Sequence, residues 1–428
     1  MVVTLLLASL IFATKTNVML PLTTVSNSGY LDQNVVNKLS TLKSANIHGV
    51  MVDVWWGIAE PSPKSYNFAP YIKLAQECQN RGLKMQCVMS FHQCGGNVGD
   101  TCSIPIPSWL PRSGYYYKDQ WGHEDLEYLS LSADNVEVHG GRTALQMYAD
   151  FMTAFRNAMG SLMGSVVDEI QVGVGPCGEL RYPGYQMDRW SFPGIGAFQC
   201  FDSGMLASLK SAGAAAGHPE WNSPPTDAGG YNSRPYDTNF FNNGQYSDFG
   251  KFFLKWYSDS LLEHGRLILT EAKSVFGQCS GVELACKISG IHWWVKHNSR
   301  AAEATTGYYL VNGNNWYLDC ARMFKSLGVA FDFTCFEMRN HEQDSNAGCG
   351  PEDLVYQVLQ ACSNAGCAVC AENALERYDS GAYNTIVGNC QKGTKVSAFT
   401  YLRLTDQLIN NGGFFSEFKL LVRKLAGV

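Results

Sequence analysis

Apolar residues in this chain gather into eight short runs, separated by longer stretches in which apolar positions recur three and four residues apart. The runs are 18–22 (VMLPL), 49–56 (GVMVDVWW), 85–92 (MQCVMSFH), 169–175 (EIQVGVG), 288–294 (ISGIHWW), 332–338 (DFTCFEM), 368–374 (AVCAENA) and 397–404 (SAFTYLRL). Each has the length and bounding of a buried strand. The segments 34–46, 71–82, 144–160 and 353–366 carry the helical spacing, and several close on glycine. The runs are continuously apolar, as expected when both faces of a parallel sheet are covered. Eight strands alternating with helices predict one α/β domain over 15–428, a single (β/α)8 TIM-type barrel with long βα loops on the substrate side. In that architecture the active site lies at the strand C-terminal ends.

Polar residues collect at those ends. Asp53, His92, Glu179, His292, Thr334, Glu372 and Arg403 all fall at or just past the end of a predicted strand. Polar residues scattered through a core would not repeat at one end of seven strands. Two of the seven are glutamates, in GVGPCGELRYP (173–183) and CAENALERYD (370–379). Most glutamates are solvated surface charges, but each of these follows a buried run, where an unpaired carboxylate is costly. A pair of carboxylates, one protonated and one ionised, is what glycoside hydrolysis requires. The glycine-rich HQCGGNVGD (92–100) suits a lid that closes over substrate, and 223–250 reads as an ordered loop on the substrate side.

Composition narrows the classes. With 428 residues, 46% hydrophobic, 16% charged and a net charge of −6, the chain buries a large core and offers no electrostatic case for nucleic acid or an anionic membrane. The first residues, MVVTLLLASLIFA, are too short to span a bilayer and read as the apolar core of a secretory leader over 1–14, although no Lys or Arg precedes them. No later run reaches transmembrane length. Fifteen cysteines fit an oxidising compartment, secreted or endolysosomal. Disulfides are expected among Cys102, Cys279, Cys286, Cys349, Cys362, Cys367 and Cys390, and free buried thiols at Cys94, Cys177, Cys335 and Cys370. The Cys367–Cys370 spacing has no second CxxC or HxxxH beside it, and His92 and His292 lack a third ligand, so no metal is expected.

GVMVDVWWG (49–57), FHQCGGNVGD (91–100), GVGPCGELRYP, SGIHWW (289–294), FTCFEMR (333–339), CAENALERYD and TYLRL (400–404) together resemble the β-amylase family, in its order, over roughly 17–425. The resemblance implies an α-1,4-glucan maltohydrolase that removes β-maltose from non-reducing ends of starch, glycogen and maltooligosaccharides with inversion. By the same resemblance Glu179 is the general acid and Glu372 the general base. Asp53, His92, Asp100, Lys287, His292, Thr334, Asn373, Ala374 and Arg403 match substrate-contact positions. Asp100 would reach the sugar when its loop closes, and Thr334 would hold the leaving glucan. Leu375, Trp55 and Trp56 would offer apolar surface to sugar rings or pack in the core. Neither cofactor nor catalytic metal is implied, and the partners expected are glucans alone, with no nucleic acid, no membrane and no separate starch-binding domain after the closing helix 415–427.

Two rival functions remain at this stage. A catalytically silent β-amylase-like sensor would show damaged motifs, whereas here acid, base and every contact position are present. A retaining barrel glycosidase often has Asn before its acid, where this chain has Gly178.

Overall fold

Eight parallel strands close on one another with alternate side chains turned outward to a ring of helices and inward to the barrel interior. The computed structural model describes residues 13–428. Its barrel strands are β1 (Lys15–Met19), β2 (Gly49–Trp55), β3 (Lys84–Ser90), β4 (Val167–Val172), β5 (Glu283–Ile288), β6 (Val329–Phe333), β7 (Val369–Glu372) and β8 (Val396–Tyr401). Every neighbour in space is a neighbour in sequence, and β1 pairs with β8 to close the barrel. On β5 the alternation is plain. Leu284 and Cys286 join the outer core, while Ala285 packs inside with Ala330, Cys370 and Ala398. This is the layered interior of a (β/α)8 barrel, a packed core and not a pore.

The crossover helices are α1 (Gln33–Lys43), α2 (Ala69–Asn80), α3 (Ala144–Met159), α4 (Asp248–Phe276), α5 (Trp316–Leu327), α6 (Pro351–Ala365), α7 (Ser380–Cys390) and α8 (Gly412–Ala426). Side chains fix where they start. Asp32 caps α1, Ser247 caps α4, Asp379 caps α7, and Thr143 with Gln146 forms a capping box on α3. Left-handed Gly328, Gly366 and Gly427 end α5, α6 and α8.

Strand number was legible; three boundaries were not, since the run 18–22 shares only Val18 and Met19 with β1. The runs 288–294 and 332–338 are mostly loop, since β5 and β6 end at Ile288 and Phe333. Their apolar residues are buried because these loops line the barrel mouth: Trp293, Trp294, Cys335 and Phe336 are all buried. The predicted loop 223–250 contains short helical turns and runs into α4 at Asp248. It reaches the mouth through Tyr236, whose ring meets Trp294 edge-on at 6.1 Å.

The expected disulfides are not formed. All fifteen cysteines are free thiols. Cys286 lies on β5, Cys362 on α6 and Cys390 on α7, so residues assigned to loops are buried parts of regular elements. The proposed leader 1–14 lies outside the described residues except for Ala13 and Thr14. Thr14 is held by Leu425 O and Val396 O. No helix among the described residues is long and apolar enough to cross a membrane.

Candidate active site

After β4 the chain turns back to present Glu179 past the strand end. A 3-10 turn at Pro176–Gly178 follows Val172, and Glu179 then forms a bridge with Lys287 on β5. Two glycines make this turn possible. Gly178 has φ +76°, a left-handed conformation that costs other residues. A Cβ at Gly175 would stand 2.4 Å from the carbonyl oxygen of Glu179. Glu179 is partly exposed and not unpaired: Arg181 Nε donates to its Oε2 at 2.7 Å. Its Oε1 accepts no hydrogen bond from the described residues.

Glu372 closes β7, two strands further round, and is 6% exposed. Lys287 Nζ donates to both its oxygens, at 2.7 and 2.9 Å. Burial pulls the Lys287 ammonium down, but Glu372, Asp332 and Asp53 outweigh it and leave its pKa above the ordinary value. One lysine thus joins the two glutamates, its backbone paired with Glu179 and its side chain with Glu372.

The remaining predicted positions surround this axis. Asp53 accepts from Ser90 Oγ at 2.8 Å, and burial raises its carboxyl while Lys287 and Arg403 pull it back. His92 is buried against the edge of Trp55, with ring centroids 5.1 Å apart and no partner on Nδ1. Burial, then the charges of Arg181 and Lys287, bring its pKa down to about 3, so it is a neutral imidazole. Burial also lowers His292, which stacks on Phe192 at 6.1 Å. Thr334 follows β6 directly and packs against Gly290, where a Cβ would come within 2.9 Å of its methyl. Arg403 donates to Leu20 O at 3.0 Å.

Three positions have their polar groups engaged within the protein. Asp100 folds back into its own loop, where its Oδ2 accepts from the backbone N–H of Gly95 at 2.8 Å and of Asn97 at 3.0 Å. Burial raises its pKa. The Asn373 amide is engaged by backbone at Leu375 and Leu402. The N–H of Ala374 donates to Glu337. Both tryptophans are core residues: the Trp55 indole donates to Leu22 O, and Trp56 lies edge-on to Phe91, Trp109 and Tyr148. Leu375 is 45% exposed and stays available to a ring.

The model of glycosyl hydrolase family 14 matches residues 17–426. The chain belongs to glycosyl hydrolase family 14. As a glycoside hydrolase of this β-amylase family it is 47% identical over 427 residues to Beta-amylase 1, chloroplastic, of Oryza sativa subsp. japonica, covering 96% of this chain and 80% of that one. Beta-amylase Tri a 17 of Triticum aestivum is 46% identical over 430 residues, with 95% and 85% covered. The crystal structure of the catalytic domain of β-amylase from Paenibacillus polymyxa superposes with a TM-score of 0.81 at 29% identity, covering 95% of this chain and 97% of that one.

Several groups of this family 14 site escaped the sequence reading. Arg181 had a signal, since residues two apart on extended chain share a face, which puts it beside Glu179. Asp332 and Glu337 are acids inside apolar runs, a placement that asks for partners. Asp332 accepts from Gln171 Nε2 at 3.0 Å, and burial followed by the Glu372 charge raises it. Burial pushes Glu337 up to about 7 while it receives the N–H groups of Ala374 and Leu375.

Proposed function

We propose that this family 14 enzyme hydrolyses α-1,4-glucosidic bonds of starch, glycogen and maltooligosaccharides from their non-reducing ends, releasing β-maltose, with Glu179 as general acid and Glu372 as general base. The supporting observation is the Lys287 link between the two carboxylates. Glu179 offers Oε1 to the glycosidic oxygen while Arg181 fixes Oε2. Glu372, held at both oxygens by one ammonium, accepts the proton of a water attacking from the other face of the ring. Inversion of this kind needs two carboxyls far enough apart to admit that water. Asp53, His92, His292, Thr334, Asn373, Ala374 and Arg403 form the sugar-binding wall. Asp100 joins them when it gives up the N–H groups of Gly95 and Asn97.

Glu179→Gln and Glu372→Gln test the assignment. Each is expected to lower kcat on maltopentaose by about 10²–10⁴ while maltose binding persists, and azide should restore turnover to Glu372→Ala with inverted product. Unchanged kcat in either Gln variant removes that residue from its role. The intact acid, base and lysine favour this reading over a silent sensor.

The compartment is a separate proposal. The apolar run 1–13 supports export to a secreted or endolysosomal space, whereas the rice and Arabidopsis relatives carry the word chloroplastic in their names. Retention of a fluorescent protein fused to residues 1–30 in the cytosol or a plastid would exclude export.

A further inference from the structure

The loop that carries Asp100 has one side chain turned into the protein. Asn97 is 7% exposed, beside Val98 at 58%. Its amide is used at both ends. Oδ1 accepts from Arg181 Nη2 at 3.0 Å, and Nδ2 donates to Glu127 Oε1. Arg181 is the residue whose Nε holds Glu179. A continuous buried chain therefore runs from Glu127 through Asn97 and Arg181 to Glu179.

The far end of the chain is fixed. Glu127 lies in the strand Glu124–Leu129, its N–H donating to Asp125 at 2.9 Å and its Oε2 accepting from Gln186 at 3.2 Å. The loop backbone is tied to the same frame, since Gln93 N donates to Glu127 O at 2.8 Å and Met187 N to Gly96 O at 2.9 Å. Arg181 itself has little freedom. Its Nη1 donates to Tyr182 O at 3.3 Å, and its guanidinium lies 4.3 Å above the Tyr185 ring.

Glu127 and Asp125 are both buried, and the reaction as described uses neither. Burial pushes both carboxyls upward, and the charge of Asp125 pushes Glu127 further. The charged groups facing them are Arg181 and Arg189, with Cys177 and Asp100 close to Arg181.

We propose that Asn97 is a positioning residue, which makes the placement of Arg181 and Glu179 depend on the loop being seated. The chemistry of the link explains the residue type. An amide donates at one end and accepts at the other, so it can stand between a carboxyl and a guanidinium. A carboxylate in its place keeps the bond to Arg181 but turns an acceptor towards Glu127. An aliphatic residue keeps neither bond and leaves two buried polar groups unpaired, which is costly. When the loop lifts, Arg181 loses one of the partners that hold it against Glu179. The seated loop thus places Glu179 through Arg181, and it does so in this structure while Asp100 is still folded back.

This inference rests on Glu179 being the acid, and the test separates the two. It compares the parent enzyme, Asn97→Asp, the double variant Asn97→Asp/Glu127→Gln, and Glu179→Gln, by kcat and KM on maltopentaose across pH 5–10 and by thermal midpoint. In Asn97→Asp two carboxyls face one another, and they bond only while they share a proton. Because burial holds the Glu127 proton up to about pH 8, the variant's kcat relative to the parent should be close to normal at pH 7 and fall about 100-fold at pH 9, the loss a small misplacement of a catalytic group causes. The double variant reverses the bond, with the amide introduced at position 127 donating to the carboxylate introduced at position 97, and it has the parent's net charge. It should return kcat at pH 9 to within about threefold of the parent and remove the added pH dependence, an exchange only a direct contact allows.

A purely structural role would shift the thermal midpoint and leave the kcat profile of the folded protein alone. The proposal is overturned if Asn97→Asp keeps the parent's kcat profile, if the loss lies in KM alone, or if a folded double variant stays as slow as the single. Should Asn97→Asp fail to accumulate, the double variant decides alone, and its inactivity when folded overturns the link. If Glu179→Gln retains kcat, the acid assignment has failed. If it loses kcat while the double variant is not rescued, only the link has failed.

Discussion

His92 shows how a single residue can tie this site to pH. An imidazole at a strand end suggests a proton carrier, yet burial and two nearby cations bring this one down to about 3. It therefore serves as a neutral hydrogen-bonding group across the pH range in which carboxylate pairs operate. The sign of the linkage follows. Between pH 6.5 and 3 the unfolded chain binds the proton and the folded one does not, so stability is complete above pH 6.5 and falls as pH drops through that window. His92→Asn should flatten this part of the acid limb. Urea midpoints at pH 4 and pH 7 should differ less in the variant than in the parent, and an equal difference would show that His92 does not carry the dependence. Placement was legible where strand ends carried the residue, as for Asp53, His92 and Glu372. The partners were not, as for Asn373, which backbone engages, and Asp100, which folds back into its own loop.

At the scale of elements, the reading worked where apolarity marks a strand and slipped where a buried loop has the same composition. ISGIHWW and DFTCFEM are as apolar as strands because the barrel mouth buries them. The true β5, ELACKI, carries Glu283 and Lys287 around a short apolar stretch and is harder to see. The turn from β4 to Glu179 was invisible, because it depends on backbone contacts between Gly175, Glu179 and Arg181. It also gives the most specific element-scale prediction. Gly175→Ala would place its methyl 2.4 Å from Glu179 O and 2.9 Å from Arg181 O, so the segment bearing Glu179 must move. An expected fall in kcat of about 100-fold contrasts with Gly388→Ala in α7, where a Cβ meets nothing within 4 Å. That change should add up to about 1 kcal/mol of stability with kcat unchanged. Equal kcat in both variants would show that the turn does not position Glu179.

The whole molecule is a barrel whose mouth is built from connections longer than its strands. Strand count and alternation announced that architecture. The resemblance of seven motifs named the family before any geometry was available. Disulfides were misjudged because sequence position does not reveal that Cys286, Cys362 and Cys390 belong to packed elements. The central claim is that this barrel uses Glu179 and Glu372 from opposite faces of the sugar to release maltose with inversion. Proton NMR of the enzyme acting on maltopentaose, read in the first minutes before mutarotation, tests it most directly. The account predicts β-maltose as the first product. Release of α-maltose or of random fragments, or no release from protein that still binds maltose, would contradict it.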